Sequence, residues 1–346
     1  MELSNQTLLK NLCNIPGVSG YEENIQKFIK IKIKKITDEV KVDRMGNIIA
    51  FKKAKKNNQQ TRNLKVMIAA HMDEIGFMVK YIDNNGFLRF ETVGKFDPRT
   101  LISQRVIIQG KKNIEGVISF PGLLNKENKK AKMEKLFIDT GLRKKEISKY
   151  VSIGDIVYLK KKFEKFNKNI VAARNFDDRI GIYIMLEALK KVDNYFVDIY
   201  AVGTVQEELG IRGSTVASFN IRPDIGIAID GSLASNIPGV KDENKHCLLG
   251  EGTGIYIMDK LTIYNKSIID FFIKLAKENK IKYQKNIGGG TDASAIQRTR
   301  EGALVSTIGP PVKYMHTPIQ LAHIEDIENS VELLKVFLEN VHKFNL

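Results

Sequence analysis

The sequence has only two cysteines among its 346 residues, Cys13 and Cys247. A chain of this length with so few cysteines has no disulfide framework, so we expect a reducing, cytoplasmic compartment. No apolar run approaches the roughly 20 residues that a membrane span needs. The first residues also lack the basic-then-apolar order of a signal peptide. We therefore expect no membrane partner.

The net charge of +15 is of a size found in nucleic-acid-binding proteins, so its distribution matters. The basic residues are mostly lysines, scattered along the whole chain in short clusters such as 52–56 and 160–162. No aromatic residues are interleaved with these clusters as platforms for stacked bases. We therefore interpret the charge as a solvated, lysine-rich surface and expect no nucleic-acid partner.

Helical and strand patterns alternate in the first and last parts of the chain. Helical spacing predicts a helix capped by Ser4 and further helices at 22–36, 178–191, 212–218, 267–278 and 325–344, with another opened by residues 288–293. Short apolar runs predict strands at 47–51, 65–72, 197–205, 225–229 and 303–308. This alternation predicts an α/β fold with a mostly parallel sheet flanked by helices.

Between these parts lies a stretch with β texture only. Segments 77–82 and 87–92 flank the turn sequence Asp-Asn-Asn-Gly at 83–86, a strong hairpin signal. Further short strands are predicted at 105–108, 114–119 and 155–159, and a mobile basic loop is predicted at 125–135. The domain prediction is therefore a first catalytic part at 1–74, an inserted β-rich domain at 75–166 and a second catalytic part at 167–346.

Five polar side chains fall at or beyond predicted strand ends. Asp177 and Glu208 are 31 residues apart, and Glu208 and Asp230 are 22 apart, so each interval holds about one helix and one strand. His71 ends the strand before the insertion, and His316 follows the last strand. Ligand sites assemble at the carboxyl edge of such sheets. Two imidazoles and three carboxylates suit zinc, cobalt or manganese, with two ions if one carboxylate bridges them.

Each of these residues also has an ordinary structural explanation when taken alone. Glu207 and Glu208 could form a charged surface turn, and Asp178 could cap a helix. As neighbours at a strand end, however, the two glutamates point in different directions, so one can hold a metal while the other moves protons. Asp73 follows His71 by two positions, points to the same side and suits an acceptor that orients its imidazole.

These motifs together resemble those of the tetrahedral (TET) aminopeptidases, a family that includes glutamyl and deblocking aminopeptidases and some relatives labelled endoglucanases. The matching segments run in order along nearly the whole chain, at 71–76, 175–181, 206–213, 228–230 and 314–318. The resemblance implies a phosphorylase/hydrolase-like two-metal peptidase core that releases the N-terminal residue from peptides with a free N-terminus. It also implies that the inserted domain is PDZ-like and joins subunits into dimers, from which dodecamers are often built.

By the same resemblance, the site holds two divalent ions, Zn²⁺ or Co²⁺ first and Mn²⁺ as an alternative. His71 and Asp230 would each bind one ion, Asp177 would bridge them, and Glu208 and His316 would complete the shells. Glu207 would be the general base and Asp73 would orient His71. Related enzymes have a cis non-proline peptide after the bridging acid, which implies one at Asp177–Asp178.

The sequence departs from the family after Asp230, where Gly231-Ser232 and Asn236-Ile-Pro-Gly239 replace Val-Thr and Asp-Thr-Pro-Gly. This departure affects the shape and charge of the substrate pocket and not the metal ligands. The motifs do not specify which N-terminal residue is preferred. A glycine-rich segment supplies further candidate substrate contacts, namely Gly289, Gly290, Thr291 and Asp292.

Three other functions compete with this reading. A two-metal deacylase or carboxypeptidase would have a similar core, and an endoglucanase would normally use a carboxylate pair without metals. A basic nucleic-acid-binding protein with a vestigial site is the alternative from another class.

Overall fold

The computed structural model describes residues 3–55, 64–121 and 131–344. Its helices are α1 (Gln6–Asn14), α2 (Glu23–Ile33), α3 (Pro98–Leu101), α4 (Lys144–Ile147), α5 (Phe176–Lys191), α6 (Arg212–Ile221), α7 (Lys266–Glu278), α8 (Ala293–Gln297) and α9 (Ile324–Asn340). Its strands are β1 (Glu39–Val42), β2 (Ile48–Lys52), β3 (Lys65–His71), β4 (Gly76–Ile82), β5 (Leu88–Val93), β6 (Arg105–Gln109), β7 (Asn113–Ser119), β8 (Phe137–Asp139), β9 (Ile156–Leu159), β10 (Glu164–Lys165), β11 (Ile170–Ala173), β12 (Asp198–Thr204), β13 (Ile225–Ile229), β14 (Ser232–Leu233), β15 (Thr253–Met258), β16 (Tyr283–Ile287), β17 (Leu304–Gly309), β18 (Pro311–Lys313) and β19 (Gln320–His323). None of these described helices is long and apolar enough to cross a bilayer.

The main sheet has eight strands in the order β1-β2-β12-β3-β13-β17-β15-β16. Its centre, β12-β3-β13-β17, is parallel, whereas β1, β2 and β15 pair antiparallel with their neighbours nearer the centre. The sheet is therefore mixed, and the expectation of a mostly parallel sheet holds only for its centre. At the edge formed by β1 and β2, the antiparallel pairing has a local cause. Strands β1 and β2 form a hairpin, which needs only a short turn, and the Asp43 carboxylate accepts the amide N–H groups of Met45, Gly46 and Asn47 there.

Helices cover both faces of the parallel centre. Helix α5 packs on β3 and β13 and is itself covered by α1 and α9, while α6 and α8 pack on each other and on β12, β13 and β17. Every residue from Val66 to His71 is buried, as a strand covered on both faces requires. The site-bearing end of β3 therefore has a rigid support.

A second sheet, β10-β11-β19-β18-β14, lies beside the site and was not predicted. Its strands are two to four residues long, and two of its pairings join segments far apart in sequence. Such short runs carry no periodicity that a sequence window can detect. This sheet matters because β18 and β19 bracket the loop that carries His316.

The inserted β texture forms a closed barrel with the order β4-β5-β8-β7-β6-β9. The predicted hairpin is present as β4 and β5, but β8, which completes the barrel, was missed because it has only three residues. The barrel has its own hydrophobic core, separate from that of the main sheet. The predicted mobile loop at 125–135 lies partly outside the described residues, and its last three residues, Met133–Lys135, form a 3₁₀ turn.

Candidate metal centre

His71 ends strand β3 with its imidazole buried and both ring nitrogens in contact with acids. Its Nε2 is 3.0 Å from Asp177 Oδ1, and its Nδ1 is 3.3 Å from the Asp73 carbonyl oxygen and 3.4 Å from Asp73 Oδ1. The two-residue spacing predicted that Asp73 would lie beside the His71 ring, and it does. A ring held at Nδ1 in this way directs its Nε2 atom toward the Asp177 carboxylate.

Asp177 occupies the centre of the cluster. One carboxylate oxygen, Oδ1, faces His71, while the other, Oδ2, is 3.2 Å from His316 Nε2. Its backbone N–H donates to Gln320 Oε1 at 2.9 Å. The peptide bond between Asp177 and Asp178 is cis, which confirms that prediction. The Asp178 carboxylate instead accepts two backbone N–H groups, that of Gly181 at Oδ1 and that of His71 at Oδ2.

The two adjacent glutamates point to different surroundings. Glu208 Oε2 is 3.4 Å from His316 Nε2. In the described part of the chain, the Glu207 carboxylate accepts no hydrogen bond. The backbone N–H groups of Glu207 and Glu208 donate to Asp73 Oδ1 and Oδ2 at 3.1 and 3.2 Å. Asp73 therefore contacts both the His71 ring and the turn that carries the glutamates.

The acids and histidines strongly perturb one another. Burial raises the pKa of Glu207 well above its usual value, and the negative charges of Asp230 and Asp292 add to this rise. Burial lowers the pKa of His316, but hydrogen bonds to Asp177 and Glu208 outweigh that effect and raise it to about 11. When no cation is bound, protons on the histidines and acids therefore balance the negative charge of this cluster.

Donor atoms of three residues lie close enough together for metal binding. Ligand atoms of His71, Asp177 and Glu208 all lie within 4.8 Å of one another, and His316 contacts the last two of these residues. Asp230 follows β13 at the same edge and is buried, yet it does not belong to this group of three. Its pKa is raised by burial and by the neighbouring charges of Asp177 and Asp178. The donor set, imidazole nitrogen with carboxylate oxygen, fits Zn²⁺, Co²⁺ or Mn²⁺.

The candidate substrate contacts at 289–292 divide into two pairs. Gly289 is exposed and Gly290 half-buried. Thr291 and Asp292 are buried and bound from within, because Thr291 Oγ1 lies 3.1 Å from Thr307 Oγ1 and Asp292 Oδ2 accepts the Thr204 hydroxyl at 2.6 Å. The side chains of Thr291 and Asp292 are therefore held in place by hydroxyl groups inside the protein.

Sequence reasoning missed two polar residues that hold the site together. Ser19 donates its hydroxyl to Asp73 Oδ2 at 2.6 Å, and Gln320 accepts the Asp177 N–H. No spacing rule connects Ser19 or Gln320 with their partners, which are 54 and 143 residues away.

Comparison with known proteins gives one consistent result. The family profile described as M42 glutamyl aminopeptidase matches residues 46–333. The chain is 35% identical to the lysyl aminopeptidase of Pyrococcus furiosus over 347 residues, which cover 96% of each protein.

Two solved structures are similar over almost their whole length. An aminopeptidase from the archaeon Desulfurococcus kamchatkensis has a TM-score of 0.91 at 34% identity, covering 96% of this chain and 94% of that one. The TET1 peptidase of Pyrococcus horikoshii, described as able to assemble into a tetrahedron or a large octahedral shell, has a TM-score of 0.85 at 32% identity, covering 97% and 99%. The chain therefore belongs to the M42 glutamyl aminopeptidase family, and it is an aminopeptidase, a hydrolase that removes N-terminal residues from peptides.

Proposed function

We propose that the site works with two divalent ions, Zn²⁺ or Co²⁺ first and Mn²⁺ as an alternative, bridged by Asp177. The observation that carries this proposal is the position of two histidines on opposite oxygens of one carboxylate. His71 Nε2 lies 3.0 Å from Oδ1 of Asp177, and His316 Nε2 lies 3.2 Å from Oδ2. A carboxylate shared in this way could offer one oxygen to each of two ions.

We assign the remaining ligands from their contacts and strand positions. Glu208 and His316 lie 3.4 Å apart, so we assign both to one ion. His71 and Asp230 are then the ligands of the other. Their two strands, β3 and β13, are parallel neighbours that end at the same edge. Asp73 would keep the His71 ring in the orientation that binding requires.

Glu207 is the proposed general base. Its carboxylate is held close to the ligands by its neighbour in sequence, yet it accepts no hydrogen bond from the described residues. Bound metal ions supply Lewis-acid chemistry that polarises a peptide carbonyl and acidifies water. Glu207 takes a proton from the attacking water and returns it to the departing amine.

Peptides with a free N-terminus are the proposed partners, with no nucleic acid or membrane. A panel of aminoacyl-p-nitroanilides, assayed with Zn²⁺, Co²⁺ or Mn²⁺ after chelation, tests activity, metal and preferred residue together. The same peptide with free and N-acetylated termini separates an aminopeptidase from a deacylase or carboxypeptidase. Equal cleavage of both forms, or full activity after chelation, would overturn the proposal.

The proposed assembly is extended from the relatives. We propose that the barrel is the PDZ-like dimerisation module and that dimers build a dodecamer, in line with the tetrahedron described for the Pyrococcus horikoshii peptidase. Light scattering on the purified protein measures the subunit number directly. Both cysteines, Cys13 and Cys247, are free thiols and buried, which supports the cytoplasm as the compartment.

A further inference from the structure

The turn that carries Glu207 and Glu208 is anchored through its backbone N–H groups. Three successive amides donate to two buried carboxylates, Gln206 N–H to Glu22 Oε1 at 3.1 Å and the next two to Asp73. Gln206 has a φ of 53°, in the left-handed region that non-glycine residues seldom adopt. A backbone in that region needs outside support to keep one conformation.

Glu22 has a position that its own helix does not explain. It stands at the N-cap of α2, where Ser, Thr, Asp and Asn are the favoured residues, and its side chain makes no capping hydrogen bond to that helix. The residue is only 6% exposed, and no salt bridge to it is found among the described residues. Its carboxylate oxygen Oε1 instead accepts the N–H groups of Gly20, at 2.8 Å, and Gln206. A buried carboxylate is costly unless its hydrogen bonds are needed.

We propose that Glu22 is a positioning residue for Glu207. By accepting the Gln206 N–H, it holds the left-handed residue before the general base and so directs the Glu207 carboxylate toward the substrate. This inference rests on the proposed role of Glu207. Glu22 is a cleaner probe of the turn than Asp73, because Asp73 also contacts the His71 ring.

The test compares four variants of the full-length enzyme. Glu22→Ala removes both hydrogen bonds, whereas Glu22→Gln keeps an Oε1 acceptor and removes only the charge. Glu22→Asp keeps the charge but is one methylene too short to reach Gln206. Glu23→Ala is the matched control, since Glu23 is the next residue, belongs to the same helical turn and is exposed.

We expect Glu22→Ala to lower kcat about 10- to 100-fold through misplacement of the base, with KM changed less than about 2-fold. Metal content should stay at the wild-type level, because Asp73 still holds the Glu208 amide. Hydrogen exchange of the peptide spanning 203–210, measured in the metal-free protein, should be faster than in wild type. Glu22→Gln should restore most of both properties, Glu22→Asp should not, and Glu23→Ala should behave as wild type.

Several outcomes would overturn the inference. One is an unchanged kcat in Glu22→Ala although hydrogen exchange of the turn becomes faster. Another is a loss of bound metal in Glu22→Ala that parallels its loss of kcat. Equal losses in the Gln and Asp variants would also overturn it, and this comparison remains available if the Ala variant does not fold. A wrong general-base role for Glu207 would give a different pattern. The Glu207→Gln enzyme would stay active, while hydrogen exchange of the turn would still depend on Glu22.

Discussion

Gly309 lies directly against the backbone of Asp230. A Cβ atom built on Gly309 would stand 1.8 Å from the Asp230 carbonyl oxygen, so no other residue fits there without moving one of the two strands. The neighbouring strands β13 and β17 end together at this point, and the Asp230 N–H donates to the Ile308 carbonyl. Close approach of the two backbones therefore places a proposed metal ligand at the sheet edge.

Gly309→Ala tests that relationship. The new methyl group must push the Asp230 backbone away, so we expect loss of about one of the two bound ions, measured by elemental analysis. The free energy of unfolding should fall by about 1–3 kcal/mol, as in other overpacked sites. Gly231→Ala is the control, because it is the next residue after Asp230 and its Cβ would come no nearer than 3.3 Å to the side chains of Val312 and Met315. Unchanged metal content in Gly309→Ala would contradict the assignment of Asp230.

The adjacent glutamates should fail in different ways. Glu207→Gln should bind both ions and yet lose about 10²- to 10⁴-fold in kcat, the usual contribution of a general base. Glu208→Ala should bind less metal, and its activity should recover in part when excess Zn²⁺ or Co²⁺ is added. Metal content and kinetics of the two variants, measured side by side, check the division of roles. The same pattern in both would show that it is wrong.

Metal binding should release protons. Hydrogen bonds to acids outweigh burial and raise the pKa of His71 well above its usual value and that of His316 to about 11. A raised imidazole pKa means a protonated ring at pH 7, and an ion binds only the neutral ring. Apparent Zn²⁺ affinity should therefore fall as the pH is lowered from 8 to 6. Calorimetric titration in two buffers of different ionisation enthalpy measures the protons released, and identical heats in both would contradict this prediction.

A buried ion pair lies where the catalytic part meets the barrel. Arg174 Nε lies 2.7 Å from Glu74 Oε2, and both side chains are almost fully buried. The guanidinium carbon lies 5.4 Å from the centre of the Tyr158 ring, which belongs to strand β9. Arg174→Ala leaves Glu74 with weaker partners, so the free energy of unfolding should fall by about 3 kcal/mol. Lys80→Ala, which removes an exposed pair with Glu91, should cost less than about 1 kcal/mol. Urea denaturation measures both, and equal losses would contradict the distinction.

Strands with continuous apolar runs could be predicted from the sequence. The bounds 225–229 agree with β13 to the residue, and β3 was predicted one residue too long. These strands are buried on both faces, so their composition alone reveals them. His71, Asp177 and Glu208 were then expected to meet because the ends of parallel strands share an edge.

Contacts set only by the folded chain could not be predicted. Glu22 reaches Gln206 across 184 residues of sequence. No periodicity, cap or turn rule links such a pair. The same limit hid strand β8, whose three residues become a strand only when β5 and β7 lie on either side. Local propensity is weak over so short a segment, and pairing with neighbours decides it.

The closed barrel has a consequence for how molecules of this protein can meet. Its six strands pair around a full circle, although β5 and β8 share only the pair Leu88 and Ile138. Along the fully paired strands the backbone N–H and C=O groups already have partners within the barrel. A neighbour that docks on those strands is therefore recognised by side-chain shape and charge.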